Sequence, residues 1–407
     1  MSDANLPPSW SNVGRHGVFP QPDCDETARF DFLTQLNAWM ASELTPQLAR
    51  CYTDQALPEF QKNRGRAPEH RNEVRDAMQT QLPYRLWCAL RRCSMEMRQQ
   101  AGRALVLRQV NDLNRSAQSI SSAAPEGLRL DADLPLPRYV EAVDTHCMPG
   151  SYHTALGEGD VSAGANYDCG IFVTTGGALG RYSDGGGCAI VEWLEREHPE
   201  FSPRRILDLG CTVGHNIVPL AQHFRDAEVI AVDVSAPVLR YAHARAQSLG
   251  VDNIRFVQMN AERLDFADGC FDLITTSMFL HELSMKALPR ILAETHRVAA
   301  DGGLIVHLEQ PRYTDAMPLF EQFMRDWDTL NNNEPFWSRM HELDIEQMMV
   351  DVGFPASGIF QMQVAASVDE ELFPATRHDA AGEDYGRTPA WHAYGAWKGA
   401  RAAAVAA

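Results

Sequence analysis

Residues 204–220 read Arg-Arg-Ile-Leu-Asp-Leu-Gly-Cys-Thr-Val-Gly-His-Asn-Ile-Val-Pro-Leu. Ile206, Leu207 and Leu209 form the short apolar run expected of a strand buried on both faces. Gly210 and Gly214 follow at once, and residues 216–223 can then open a helix with Pro219 in its first turn. Strand, glycine turn and helix make the first unit of a nucleotide-binding α/β sheet. A glycine turn at that point lets backbone approach a ligand that a Cβ would exclude. Two glycines four apart are common in ordinary loops, so the rest of the chain must decide.

It continues in the same pattern. Residues 228–232 are a second apolar strand ending in Asp233, 23 residues after Gly210. An acidic residue at that distance suits a pair of ribose hydroxyls. Further strands are expected at 253–259, 270–276 and 302–308, with helical spacers between them. Alternation of this kind predicts a parallel sheet. Residues 359–365 and 391–398 complete it, the last strand antiparallel. The expected fold is a Rossmann-like, mostly parallel sheet of seven strands with helices on both faces.

Four stretches, in order, carry a family resemblance: Leu207-Asp-Leu-Gly-Cys211, Ala231-Val-Asp-Val-Ser235, Asn260-Ala-Glu-Arg-Leu-Asp-Phe266 and Phe271-Asp-Leu-Ile-Thr-Thr-Ser-Met-Phe-Leu-His-Glu-Leu283. Over about residues 190–310 the chain resembles the class I S-adenosylmethionine-dependent methyltransferases, most closely the small-molecule and quinone-pathway type. A dinucleotide oxidoreductase is the main rival, but its fingerprint needs G-x-G-x-x-G. Here the text is Asp208-x-Gly210-x-Thr212-x-Gly214. Thr212 also departs from the family, which usually has a middle glycine. Its side chain must turn away from the cofactor or donate to it.

The resemblance implies S-adenosylmethionine as cofactor, with roles for particular residues. Asp208, Gly210, Cys211 and Gly214 would hold its methionine part, and Asp233 would accept both ribose hydroxyls. Val234 would pack on the adenine face. Asn260, Ala261 and Glu262 would sit at the adenine edge, Asn260 standing where the family often has an Asp. Ser277 would lie beside the reactive methyl group. A surface carboxylate is an equally good reading of Glu262.

Composition bounds the alternatives. The 407 residues suffice for two domains, and 45% apolar with 22% charged content is ordinary for a globular protein. A net charge of −18 argues against non-specific binding to nucleic acid or to an anionic membrane. No apolar run approaches a membrane span, and the first residues lack the pattern of a signal peptide. Nine scattered cysteines without a C-x-x-C pair read as reduced thiols in a cytoplasmic protein, with no disulfide frame and no metal site.

Residues 1–24 read as an extended arm and 25–149 as a helical domain with its linker, which the resemblance does not cover. Within it Phe30, Leu33, Leu36 and Met40 fall on one face. In the helix opened by Pro83, Leu86, Leu90, Cys93, Met97, Ala101 and Ala104 recur at helical spacing. The arginines at 85, 91, 92, 98, 103, 108 and 115 suit a solvated face paired with carboxylates better than an anion-binding face. Residues 150–190 hold eleven of the 28 glycines, interleaved with aromatics, and are expected to form a lid. Tyr152, His153 and Tyr167 are its candidate substrate contacts. Residues 191–407 are the methyltransferase domain, whose polar stretch 369–388 is expected to be a long loop.

For catalysis, His281 lies at the carboxyl edge of the sheet, where imidazole has a suitable pKa range and Glu282 could orient it. A structural role for His281 is the competing reading. Glu309, near the same edge, could meet a cationic acceptor or pair with Arg312. His307-x-Glu309 is not enough for a metal site. Phe336 and Trp337 read as core. The expected function is methyl transfer to a small molecule, with the helical domain as a cap or as the surface of a homodimer. Two alternatives are an S-adenosylmethionine-binding assembly or regulatory subunit without turnover, and an RNA or protein methyltransferase. The charge and the absence of an Asn/Asp-Pro-Pro-aromatic motif disfavour the last.

Overall fold

The computed structural model describes residues 7–369, 371–373 and 390–399. Its sheet contains β1 (Leu128–Arg129), β2 (Arg205–Leu209), β3 (Glu228–Asp233), β4 (Ile254–Gln258), β5 (Phe271–Ser277), β6 (Ala299–Glu309), β7 (Ile359–Ala365) and β8 (Ala390–Trp397). The order is β1-β4-β3-β2-β5-β6-β8-β7. Neighbours from β1 to β6 are parallel, and β8 is antiparallel to both β6 and β7. Seven strands match the expectation. The eighth, β1, is a two-residue edge drawn from the segment read as linker, with Leu128 opposite Phe256.

Side chains alternate across the strands, so each face finds its own helices. Ile206 and Val229 pack against the Gly185–Glu197, Ile217–His223 and Ala236–Ser248 helices. Leu207, Leu209, Ile230 and Ile274 pack against the Ala287–Val298 and Ile345–Asp351 helices. Strand order reverses direction at β2, between β3 and β5. The crevice beyond the carboxyl ends of the strands therefore opens there, as in other open α/β sheets.

Three expectations need correction. The described part of the arm is core: Trp10 is fully buried, stacks 4.5 Å from Phe30 and donates from Nε1 to the carbonyl of Cys169 at 2.8 Å. The long helix, Leu82–Arg108, buries Tyr84, Trp87, Arg91, Met95, Arg98, Ala101 and Leu105, whereas Leu86 and Met97 are exposed. Its partner surface is aromatic, with Trp327 and Phe323, and selects the aromatic stripe over the aliphatic one. Arg91 is sandwiched 4.9 Å from Trp87 and 4.3 Å from Trp327 and pairs with Asp328 at 3.3 Å. Among the described residues, only Arg92, Arg108 and Arg115 of these arginines show the expected surface pairing, with Glu96, Glu26 and Asp112.

The glycine-rich segment expected to form a lid is largely helical. It forms the Ser162–Thr175 helix and the start of the Gly185–Glu197 helix. Asp168 clamps the first of these. One of its oxygens pairs with Nε2 of His215 at 2.6 Å; the other meets Nε2 of His16 at 2.8 Å and the Tyr241 hydroxyl at 2.7 Å, with Arg245 at 3.7 Å. Burial would raise its pKa, but His215, His16 and Arg245 together hold the carboxyl well below the usual range. Of the long loop expected at 369–388, residues 370 and 374–388 lie outside the described residues.

Candidate active site

β2 ends in the glycine turn. Gly210 has φ +73°, and a Cβ there would lie 2.3 Å from the Phe279 ring. Thr212 occupies the left-handed region at φ 50°, unusual for a β-branched residue. Its hydroxyl turns back toward the carbonyl of Gly210 at 3.3 Å, and its N–H donates to Oδ2 of Asp233 at 3.0 Å. The departure from glycine is thus accommodated by tying the turn to the next strand.

Asp233 closes β3. Its other oxygen accepts from the N–H of Ser235 at 2.9 Å, so each carboxylate oxygen keeps a lone pair for a further donor. Asp208, buried in β2, accepts from the Thr275 hydroxyl at 2.8 Å, and burial pushes its pKa up to about 7. Val234 is half-buried, and Gln258 Nε2 donates to its carbonyl at 2.9 Å. Asn260 Oδ1 accepts from the N–H of Glu262 at 2.9 Å, Ala261 is buried, and Glu262 pairs with Arg290 at 3.0 Å. Cys211 is buried in the turn. The Ser277 hydroxyl, at the end of β5, is buried with no hydrogen-bond partner among the described residues. These positions line one crevice edge. The glycine turn, the two spare lone pairs of Asp233 and the orphan Ser277 hydroxyl fit the methionine, ribose and sulfonium ends of the expected cofactor.

Beside this edge lies a second cluster. Nδ1 of His281 is 2.6 Å from Oε1 of Glu309, and its Nε2 faces Glu282 and Glu334 at 3.8 and 4.0 Å. Burial disfavours charge on His281, but Glu309 foremost, then Glu282 and Glu334, outweigh it and raise its pKa to about 9. Trp337 covers the imidazole, ring centroids 4.5 Å apart. Glu309 is fully buried and also accepts the N–H groups of Leu280 and Gln310, both at 2.9 Å. It thus lies behind His281, its carboxylate engaged by the imidazole and by backbone. Arg312 pairs instead with Asp344.

Tyr152 and Tyr167 do reach the site. Their rings meet at 5.3 Å, and Tyr167 lies 5.6 Å from His215 beside the glycine turn. The carbonyl of Tyr152 accepts from the Ser235 hydroxyl at 2.6 Å, which joins this segment to the end of β3. His153 is half-buried and enters no hydrogen bond or ion pair among the described residues. His146 is the histidine that arrives: Nδ1 lies 2.5 Å from the Tyr152 hydroxyl, and Nε2 is 3.2 Å from Glu334 and 3.5 Å from Glu282. Neither His146 nor Glu334 stood out in the sequence. One lies in apparent linker and the other in an Asn-rich turn, and no local signal marks either.

The arginine at 98 is also buried, near Tyr152, Tyr167, Cys147 and Cys169, and its Nε has no hydrogen-bond partner among the described residues. A cleft of about 490 Å³ lined by Arg92, Gln99, Arg103, Asp144, Cys147 and Asn333 opens next to the segments that carry His146 and Glu334.

Known proteins resemble this chain over the sheet domain. A family model described as a methyltransferase domain matches residues 206–303. The demethylmenaquinone methyltransferase of Thermus thermophilus is 35% identical over 112 residues, 28% of this chain and 50% of that protein. An uncharacterized methyltransferase of Synechocystis is 33% identical over 172 residues, 42% of this chain and 76% of that one. The chain thus spans from half to three quarters of these relatives. Among solved structures, a phosphoethanolamine N-methyltransferase of Haemonchus contortus with S-adenosylhomocysteine bound shares 18% identity, over 58% of each chain, at a TM-score of 0.40.

Proposed function

Because this chain belongs to the class I S-adenosylmethionine-dependent methyltransferases, we propose that it transfers the cofactor's methyl group to a small-molecule acceptor. The observation that carries the reading is the end of β3, where Asp233 is held by two backbone N–H groups with its remaining lone pairs free beside the glycine turn. Asp208, Gly210, Cys211 and Gly214 would hold the methionine end, with Val234, Asn260, Ala261 and Glu262 at the adenine and Ser277 near the sulfonium. When bound, the cofactor supplies an electrophilic methyl group, so the protein's task is alignment and exclusion of water.

Residues of this chain supply both. Tyr152 and Tyr167, from the segment that Asp168 clamps, and Trp337, against His281, would bound the acceptor. His281, oriented by Glu309 with Glu282 close by, would take a proton from an acceptor hydroxyl, phenol or acidic carbon only in its neutral form, which its raised pKa of about 9 favours at alkaline pH. The buried Arg98 suits an acceptor that carries an anionic group.

The test is incubation with methyl-labelled S-adenosylmethionine and a cell extract separated by size. Label should enter the low-mass fraction and depend on the protein. Label confined to RNA or protein would contradict the reading, and cofactor binding without any transfer would favour a non-catalytic subunit.

A further inference from the structure

His146, Glu282 and Glu334 each offer a ligand atom, and these atoms lie within 4.8 Å of one another. Nε2 of His146 is 3.2 Å from Oε1 of Glu334 and 3.5 Å from Oε1 of Glu282. A cation with donors about 2.0–2.2 Å away sets neighbouring donor atoms about 3.0–3.6 Å apart, and both His146 separations fall in that range.

A second observation is independent of the spacing. Glu334 is 2% exposed, and its Oε2 has no hydrogen-bond donor among the described residues. That oxygen faces Nε2 of His281 at 4.0 Å, too far for a hydrogen bond. A buried carboxylate oxygen without a donor is costly to keep.

The outer partners also have the form found around metals. Nδ1 of His146 is engaged by the Tyr152 hydroxyl and Nδ1 of His281 by Glu309, which leaves both Nε2 atoms turned toward the same space. His146 itself sits at φ 55° and Asn333, next to Glu334, at φ 58°. Backbone in that region persists only where its surroundings impose it, often at ligand sites.

We propose that His146, Glu282 and Glu334, with His281 beside them, bind one divalent transition-metal ion. This revises the expectation of no metal, which rested on local motifs. Mixed imidazole and carboxylate donors suit Mn²⁺, Fe²⁺, Co²⁺ or Zn²⁺ better than the all-oxygen preference of Ca²⁺ or Mg²⁺. Three or four protein donors leave positions open. In a consequence that rests on the methyl-transfer reading, the acceptor would meet the ion through an oxygen atom.

The test is titration of the metal-stripped full chain with Co²⁺, read by its visible ligand-field bands and by calorimetry. One equivalent should bind with micromolar or tighter affinity. His146→Ala and Glu334→Gln should each weaken it at least 100-fold while S-adenosylhomocysteine affinity changes less than threefold, which also shows that the variants fold. Wild-type protein that binds no stoichiometric Co²⁺, or binding that ignores both substitutions, overturns the proposal whatever the homocysteine product does. Loss of S-adenosylhomocysteine binding with Co²⁺ binding intact would sink the methyl-transfer reading and leave the metal site standing.

Discussion

Oε1 of Glu309 lies 2.6 Å from Nδ1 of His281, while Oε2 accepts the backbone N–H of Leu280 at 2.9 Å. One buried carboxylate, contributed by the end of β6, thus fixes both the imidazole and the short turn after β5 that carries it. Removing one member of a buried pair leaves the other uncompensated, at a cost of about 3–5 kcal/mol. We expect Glu309→Ala to lower stability by about that amount in chemical denaturation. Glu309→Gln keeps the shape and should cost clearly less, while slowing methyl transfer more than it weakens cofactor binding.

Asp168 is the equivalent node for the N-terminal part, since it joins His16 of the arm to His215, Tyr241 and Arg245 of the sheet domain. Asp168→Ala should cost about 3–5 kcal/mol, because it strands buried donors. The arm should also become a site of limited proteolysis near His16. An arm that stays resistant in the variant would show that Trp10 packing alone holds it.

Much of this architecture was legible from the sequence. The text from Asp208 to Asp233 is local, and strand, turn and acidic residue each follow from spacing within one β-α-β unit. The antiparallel β8 was also expected, at 391–398, as the strand that completes the sheet. What failed were features set by distant partners. Glu309 reads as an edge carboxylate until β5 is seen to lay its following turn across it. The buried face of the long helix depends on Trp327, more than 200 residues away in sequence, so aliphatic periodicity pointed to the wrong stripe. His146 and Glu334 are 188 positions apart and meet only in the folded chain.

At Gly210 the left-handed backbone and the Phe279 ring act together. Gly210→Ala should destabilise the protein by about 1–3 kcal/mol from backbone strain alone, with the ring collision in addition. Adding Phe279→Ala should recover only the collision part. Full recovery in the double variant, followed by thermal denaturation, would show that the backbone conformation carries no penalty.

His307 gives a pH signature. It is fully buried in β6, and burial lowers its pKa to about 4. Its unfolded value is about 6.5, so below that pH the unfolded chain binds a proton that the folded chain refuses. Stability should therefore fall as pH drops from about 6.5 toward 4, by up to about 3 kcal/mol from this group. His307→Gln should flatten that part of the profile relative to wild type while leaving the region above pH 7 unchanged. Parallel profiles for the two proteins would contradict the assignment.

The central claim is that the glycine turn and Asp233 hold S-adenosylmethionine, and calorimetric titration with S-adenosylhomocysteine tests it most directly. Wild type should bind with micromolar affinity, Asp233→Ala should bind at least 100-fold more weakly, and nicotinamide dinucleotides should not bind to either. Binding that is absent, or that survives the loss of Asp233, would contradict the account.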